Sequence, residues 1–263
     1  GISSLSTTGL HRTLSEMANQ NTVKESNAGA VLSITHKRLD AGLTVHHTGF
    51  SVPLQRNATP YNQFYFTGNT NTNSGLYLNY AYRNVSLFSE VAYTFSKGVS
   101  VIAGSIMSLT PALDVALLYR NYSRSYHTFY SNAISENSTP QNERALYWGW
   151  KYTFNKQYWT SGYFDWFRFG WLRYRGYNPS DGYEWLARFT YKPTRHVSFF
   201  AQMREESKIR NQASESNLYF TSNAVKRNYW INADYRATPM LSLRTRAQFS
   251  RYQFSGAETG GIA

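Results

Sequence analysis

Between Pro111 and Phe154 the chain alternates with a period of two, breaks off, and resumes. Leu113, Val115, Leu117 and Tyr119 alternate with Asp114, Ala116, Leu118 and Arg120. Asn121 to Arg144 then carry no apolar period, and Leu146, Trp148, Trp150, Tyr152 and Phe154 alternate with Ala145, Tyr147, Gly149, Lys151 and Thr153. A period of two puts successive side chains on opposite faces of a strand. One face is a ladder of large apolar and aromatic groups, and the other is small, polar or charged. This unit of strand, polar loop and strand constrains the fold more than any motif, because the rest of the chain repeats it.

The same count predicts strands near 26–36, 40–50, 75–83, 85–95, 99–108, 158–167, 183–192, 197–206, 228–236 and 241–252. With the opening pair that makes about twelve. The connections alternate in length. Short turns are predicted at 37–39, 83–84, 110–111, 155–157, 193–195 and 238–239, and long loops at 51–73, 121–144, 168–182 and 207–227. A brief turn near 96–98 is the exception. Short turns at one end and long loops at the other mark an outer-membrane barrel, whereas a soluble up-and-down barrel has no need of the asymmetry. The expectation is an all-β, antiparallel, up-and-down transmembrane β-barrel, in which closure removes edges that could not face hydrocarbon. Residues 22–263 form the barrel. Residues 1–21 are a separate N-terminal segment with a short helix, for which Thr13 and Glu16 have the spacing of a capping box.

Composition agrees. Aromatic residues are 17% of the 263 positions while the mean hydropathy is −0.52. A chain rich in rings yet polar on average is what one lipid-facing and one water-facing surface produce. No apolar run approaches the length of a membrane helix. Without cysteine, thiolate chemistry and disulfides are excluded. The first residue is Gly1 rather than Met, and the chain reads as a piece of a longer barrel.

Candidate function lies on the inward faces. These carry Asp165, Glu184, Arg188, Lys192, Gln202, Arg204, Glu206, Asp234, Arg236, Arg244, Arg246 and Gln248. With a formal net charge of +12, such a lining favours anionic solutes. The alternative is a plugged interior in which Arg and carboxylate neutralise one another across neighbouring strands. The loop after the sixth strand is too long for a plain turn and is expected to fold over or into the barrel mouth. Arg120, Asn121 and Tyr126 are its candidate residues. The six histidines have no metal-binding spacing, so no metal site and no cofactor is expected. Ser125 and His127 lie in a loop and there is no GxSxG, which argues against a hydrolase. Residues 168–175 interleave Arg with rings and could stack bases, but they read first as an interfacial aromatic girdle.

The run at 117–138, LLYRNYSRSYHTFYSNAISENS, with Asn142 and Glu143 after it, resembles a segment of Bacteroidota outer-membrane barrels. Those proteins belong to a family of helix-hairpin-helix domain-containing proteins. Residues 9–13 with Ser15 and Glu16, 171–175, 190–193 and 204–208 are similar to other parts of that barrel region. The resemblance implies an outer-membrane location and a longer barrel, but no particular activity. The helix-hairpin-helix repeats are absent from this chain, so DNA binding attaches to none of its residues. Two expectations follow. One is a pore, transporter or binding protein that contacts outer-membrane lipid and takes anionic solutes. The other is a structural or assembly component of an envelope machine for secretion or DNA uptake, docking envelope proteins with its lumen closed. An enzyme is not expected.

Overall fold

The computed structural model describes residues 1–5, 9–95, 98–213, 219–254 and 257–260. They form one antiparallel sheet in which every strand pairs with its neighbour in sequence. In order the strands are β1 (Glu25–His36), β2 (Leu39–Leu54), β3 (Gly68–Tyr82), β4 (Val85–Thr94), β5 (Gly98–Thr110), β6 (Leu113–Tyr122) and β7 (Glu143–Thr153). They continue with β8 (Tyr158–Phe169), β9 (Ser180–Tyr191), β10 (Val197–Ala213), β11 (Tyr219–Arg236), β12 (Ser242–Phe254) and the short β13 (Ala257–Gly260). The fold class is the expected all-β meander. Among the described residues the sheet does not close on itself, since β1 pairs only with β2 and β13 only with β12.

The register builds the two faces that the alternation foretells. Leu117 faces Trp148, Trp148 faces Phe164 and Phe164 faces Trp185 across successive strands. Leu117, Trp148 and Phe164 are all exposed. Leu32, Leu43, Leu76 and Val91 continue this apolar outer surface across the first four strands. So extensive an exposed apolar face is foreign to a soluble monomer and matches the lipid-facing band of a transmembrane barrel. Among the described residues no helix is long and apolar enough to cross a membrane.

At one end the strands are joined by tight turns, two of which pass through left-handed Lys37 (φ 52°) and Arg83 (φ 53°). At the other end lie the segments 55–67, 123–142 and 170–179. The turn expected near 96–98 falls mostly outside the described residues, as does the tip at 214–218. Several strands run further than expected at this end. Most of the predicted loop 207–227 is strand, with Lys208 opposite Ala224 and Asn211 opposite Thr221. β3 starts at Gly68, inside the predicted loop 51–73. In these extensions few large apolar side chains alternate, so the strand continues while the apolar period that reveals it stops.

The N-terminal helix, α1 (Leu14–Ala18), has its capping box: the Glu16 amide donates to Thr13 Oγ1 at 3.2 Å and the Thr13 amide to Glu16 Oε2 at 3.2 Å. None of its residues is buried, and Leu14 is exposed. The segment before it is tied down at Ile2, which bridges Leu54 at the long-loop end.

Candidate functional site: the capped concave face

The loop 123–142 lies against the concave face of the sheet and reaches from β1 to β10. At one extreme the Tyr130 hydroxyl donates to Glu25, and its ring meets His46 edge-on at 5.7 Å. Phe129 packs on Phe50 at 5.1 Å and on Phe66 at 5.2 Å. In the middle, the His127 carbonyl accepts from Asn71 Nδ2 at 3.0 Å and from Thr94 Oγ1 at 3.1 Å. Tyr122 Oη donates to the Ile134 carbonyl at 2.8 Å. At the other extreme Glu136 pairs with Lys208 of β10. Gly98 lets the loop pass, because a Cβ there would stand 2.1 Å from the Ser125 carbonyl oxygen and 2.3 Å from Tyr126 Cα.

Two neighbouring loops lock onto this one. Gln141 Nε2 donates to the Phe64 carbonyl at 2.8 Å, Asn142 Nδ2 to the Trp171 carbonyl at 3.0 Å, and Trp171 Nε1 to the Pro60 carbonyl at 3.0 Å. Segments 55–67, 123–142 and 170–179 therefore form a single cap over the long-loop half of the concave face.

Beneath the cap is a buried ionic network. Arg120, on the concave side of β6, donates through Nε to Glu143 Oε1 at 2.6 Å. It also grips Asp165 with two parallel bonds, from Nη1 at 2.9 Å and Nη2 at 2.8 Å. The side chains of Arg120 and Glu143 are 1% and 0% exposed. Glu143 also accepts the amide of Glu136 at 2.9 Å, which ties the loop to the network. Further along, Tyr163 and Arg204 both donate to Glu184. Lys208 bridges Glu206, at 2.7 Å, and Glu136. The chain of contacts thus returns to the loop through Glu136. Buried charges are tolerated when they are paired and hydrogen-bonded in this way, and breaking one such pair is costly.

Burial sets the ionisation of the loop groups. It pushes the Tyr126 hydroxyl up to about 12 and pulls the His127 imidazole down to about 4. It also raises the Glu136 carboxyl, against the opposing pull of Lys208.

All nine charged residues expected to line the interior lie on the concave face, in two groups. Asp165, Glu184, Arg204 and Glu206 belong to the buried network, where they stand with Glu136 and Glu143. This half is an ion-paired set in which five carboxylates share Arg120, Arg204 and Lys208, rather than a basic ladder. Arg188, Asp234, Arg236, Arg244 and Arg246 lie in the half nearer the short turns, which the cap leaves uncovered. There Arg244 Nε pairs with Asp234 Oδ1 at 2.6 Å, Arg188 Nε donates to Gln202 at 2.8 Å, and the Arg246 guanidinium stacks over Trp230 at 5.3 Å.

The three loop candidates need correction. Arg120 and Asn121 belong to β6, not to the loop. Arg120 points inward, while Asn121 sits opposite Arg144 on the convex face. Only Tyr126 is in the loop, buried at 7% exposure. Sequence reasoning missed Glu143, Glu136 and Lys208. Glu143 was within reach, since it shares the parity of Ala145 and Tyr147 on the inward face. Among the described residues no cluster of His, Cys, Asp and Glu could hold a metal ion.

No protein-family model matches the sequence, and no curated protein matches it. Among solved structures the chain is similar to Pseudomonas aeruginosa OccK3 (OpdO), with a TM-score of 0.47 and 11% identity over 89% of this chain and 66% of that one. The chain thus spans slightly less than two thirds of the length of OccK3.

Proposed function

We propose that this chain forms the wall and cap of an outer-membrane β-barrel, of the Bacteroidota type that its sequence resembles, and that it passes or binds small solutes rather than catalysing a reaction. The observation that carries the reading is the loop 123–142, anchored on the concave face by Glu143 and Glu136 while the half nearer the short turns stays open. Such a loop narrows a lumen without filling it. The open half displays Arg188, Arg244 and Arg246 against Asp114 and Asp234, a lining that favours anions entering from that end. In lipid an unpaired strand edge is too costly to persist, so the reading also requires partners for the free edges of β1 and β13. The buried network supports a second reading, in which the cap seals the lumen and the protein serves as a structural part of an envelope assembly.

Planar-bilayer recording separates the two. The purified protein, folded as judged by heat-modifiable gel migration, is expected to give small unitary conductance steps with anion preference. Arg244→Glu combined with Arg246→Glu should shift that preference toward cations. A folded protein that conducts nothing overturns the passage reading in favour of the sealed one.

A further inference from the structure

Inside the cap is a cavity of about 260 Å³ whose lining has an unbalanced charge. Four cations, Arg124, Arg173, Lys208 and Arg210, face it with a single carboxylate, Glu136. Lys208 takes that carboxylate, and among the described residues Arg124, Arg173 and Arg210 have no ion-pair partner. Two of the three are held in place. The Arg124 guanidinium stacks over Trp171 at 5.3 Å, and that of Arg173 over Phe169 at 4.2 Å. Arg173 Nη2 donates to the Ile209 carbonyl at 3.1 Å, while its Nε is buried without a partner. Burial, reinforced by nearby Arg210 and only partly offset by Glu136, Glu206 and Glu143, pulls the Arg173 guanidinium down to about 10. A cation held under that penalty gains from an anion beside it.

The rest of the lining narrows the class of ligand. Asn142 Oδ1 is buried without a partner and can accept from a hydroxyl. Tyr61, Trp171 and Tyr174 give the cavity aromatic walls, held in place by contacts such as Tyr61 against Tyr174 at 5.9 Å and Trp171 against Phe64 at 5.3 Å. Guanidinium forks match tetrahedral oxyanions with paired hydrogen bonds, and several cations facing one carboxylate suit a dianion better than a monoanion. The volume lies below the roughly 300–1,000 Å³ of pockets for drug-sized ligands, which limits the ligand to a single small ring. We propose that the cavity binds a sugar phosphate, its phosphate held by Arg173 and Arg210 and a ring hydroxyl donating to Asn142 Oδ1. The site stands on the geometry of the cap and does not depend on whether solutes cross the barrel.

The test is isothermal titration calorimetry on the protein in detergent, with glucose 6-phosphate, inorganic phosphate and glucose as probes. Glucose 6-phosphate should bind saturably and at least 10-fold more tightly than inorganic phosphate, with no heat from glucose. Arg210→Gln and Arg173→Met, each shown to be folded by heat-modifiable migration, should weaken it 10-fold or more. Absence of saturable binding overturns the site, as does unchanged affinity in the folded Arg210→Gln variant. Inorganic phosphate binding as tightly as the ester overturns the assigned class. A protein that conducts without binding loses only this site, and one that binds without conducting loses only the passage reading.

Discussion

The Arg120 guanidinium offers the sharpest test of what holds the cap in place. In Arg120→Met the side chain keeps much of its volume but loses three charge-assisted bonds, of 2.6, 2.9 and 2.8 Å. What remains is worse than three missing bonds. Glu143 and Asp165, with side chains 0% and 12% exposed, become two neighbouring buried carboxylates with no cation between them. Removing one partner of a buried ion pair costs about 3–5 kcal/mol, mostly because of the charge left behind. With a urea dependence of about 2 kcal/mol per molar, the unfolding midpoint should fall by about 2 M. The triple variant Arg120→Met, Glu143→Gln, Asp165→Asn removes the stranded charges and keeps an acceptor at position 143 for the Glu136 amide. Neutral replacement of a whole buried ion cluster is often close to cost-free, so the triple should recover most of the loss. Urea titration in detergent, followed by tryptophan fluorescence, measures all three proteins. If Arg120→Met unfolds at the wild-type urea concentration, or the triple is no more stable than the single variant, the network does not hold the cap and the reasoning fails.

Two further tests bear on the loop itself. His127 is held neutral in the cap, where burial pulls its imidazole from the usual 6.5 down to about 4. The unfolded chain therefore binds the extra proton first, and stability should fall as pH drops from about 6.5 toward 4, by at most about 1.4 kcal/mol per pH unit. His127→Phe, which keeps the ring against Phe66, should flatten that part of a melting-temperature profile; an unchanged slope would assign the effect to another group. Gly98→Ala puts a methyl group against the backbone of Ser125 and Tyr126, and it should cost about 1–3 kcal/mol and speed proteolysis at Arg124. A variant as stable and as resistant to protease as the wild type would mean that the loop does not run where it is placed.

The faces of this sheet were legible in the sequence because parity is local. Once Leu117 and Trp148 are outward, Leu118, Arg120, Ala145 and Tyr147 can only be inward, and the register agrees. Strand ends were less legible. At β10 and β11 the mostly polar ends keep the pairing but lack the apolar period that reveals a strand. The cap was legible only as a length of loop. Glu136 reaches Lys208 through a closeness that the curvature of the sheet creates, and no spacing in the sequence encodes it.

Arg120 falls between these cases and shows how the site arises. Its neighbour across the hairpin is Ala145, and the next residue in that row is Phe167, both 0% exposed. Ala145 is too small to block the guanidinium, so the side chain crosses over β7. It then meets Asp165, which the register holds opposite Tyr147 on β8. Glu143, opposite Tyr122 at the start of β7, meets the same guanidinium from the loop side. The ion cluster that fixes the cap thus depends on a small residue at position 145 as much as on the charges, with Glu143 standing where the chain leaves the loop and re-enters the sheet.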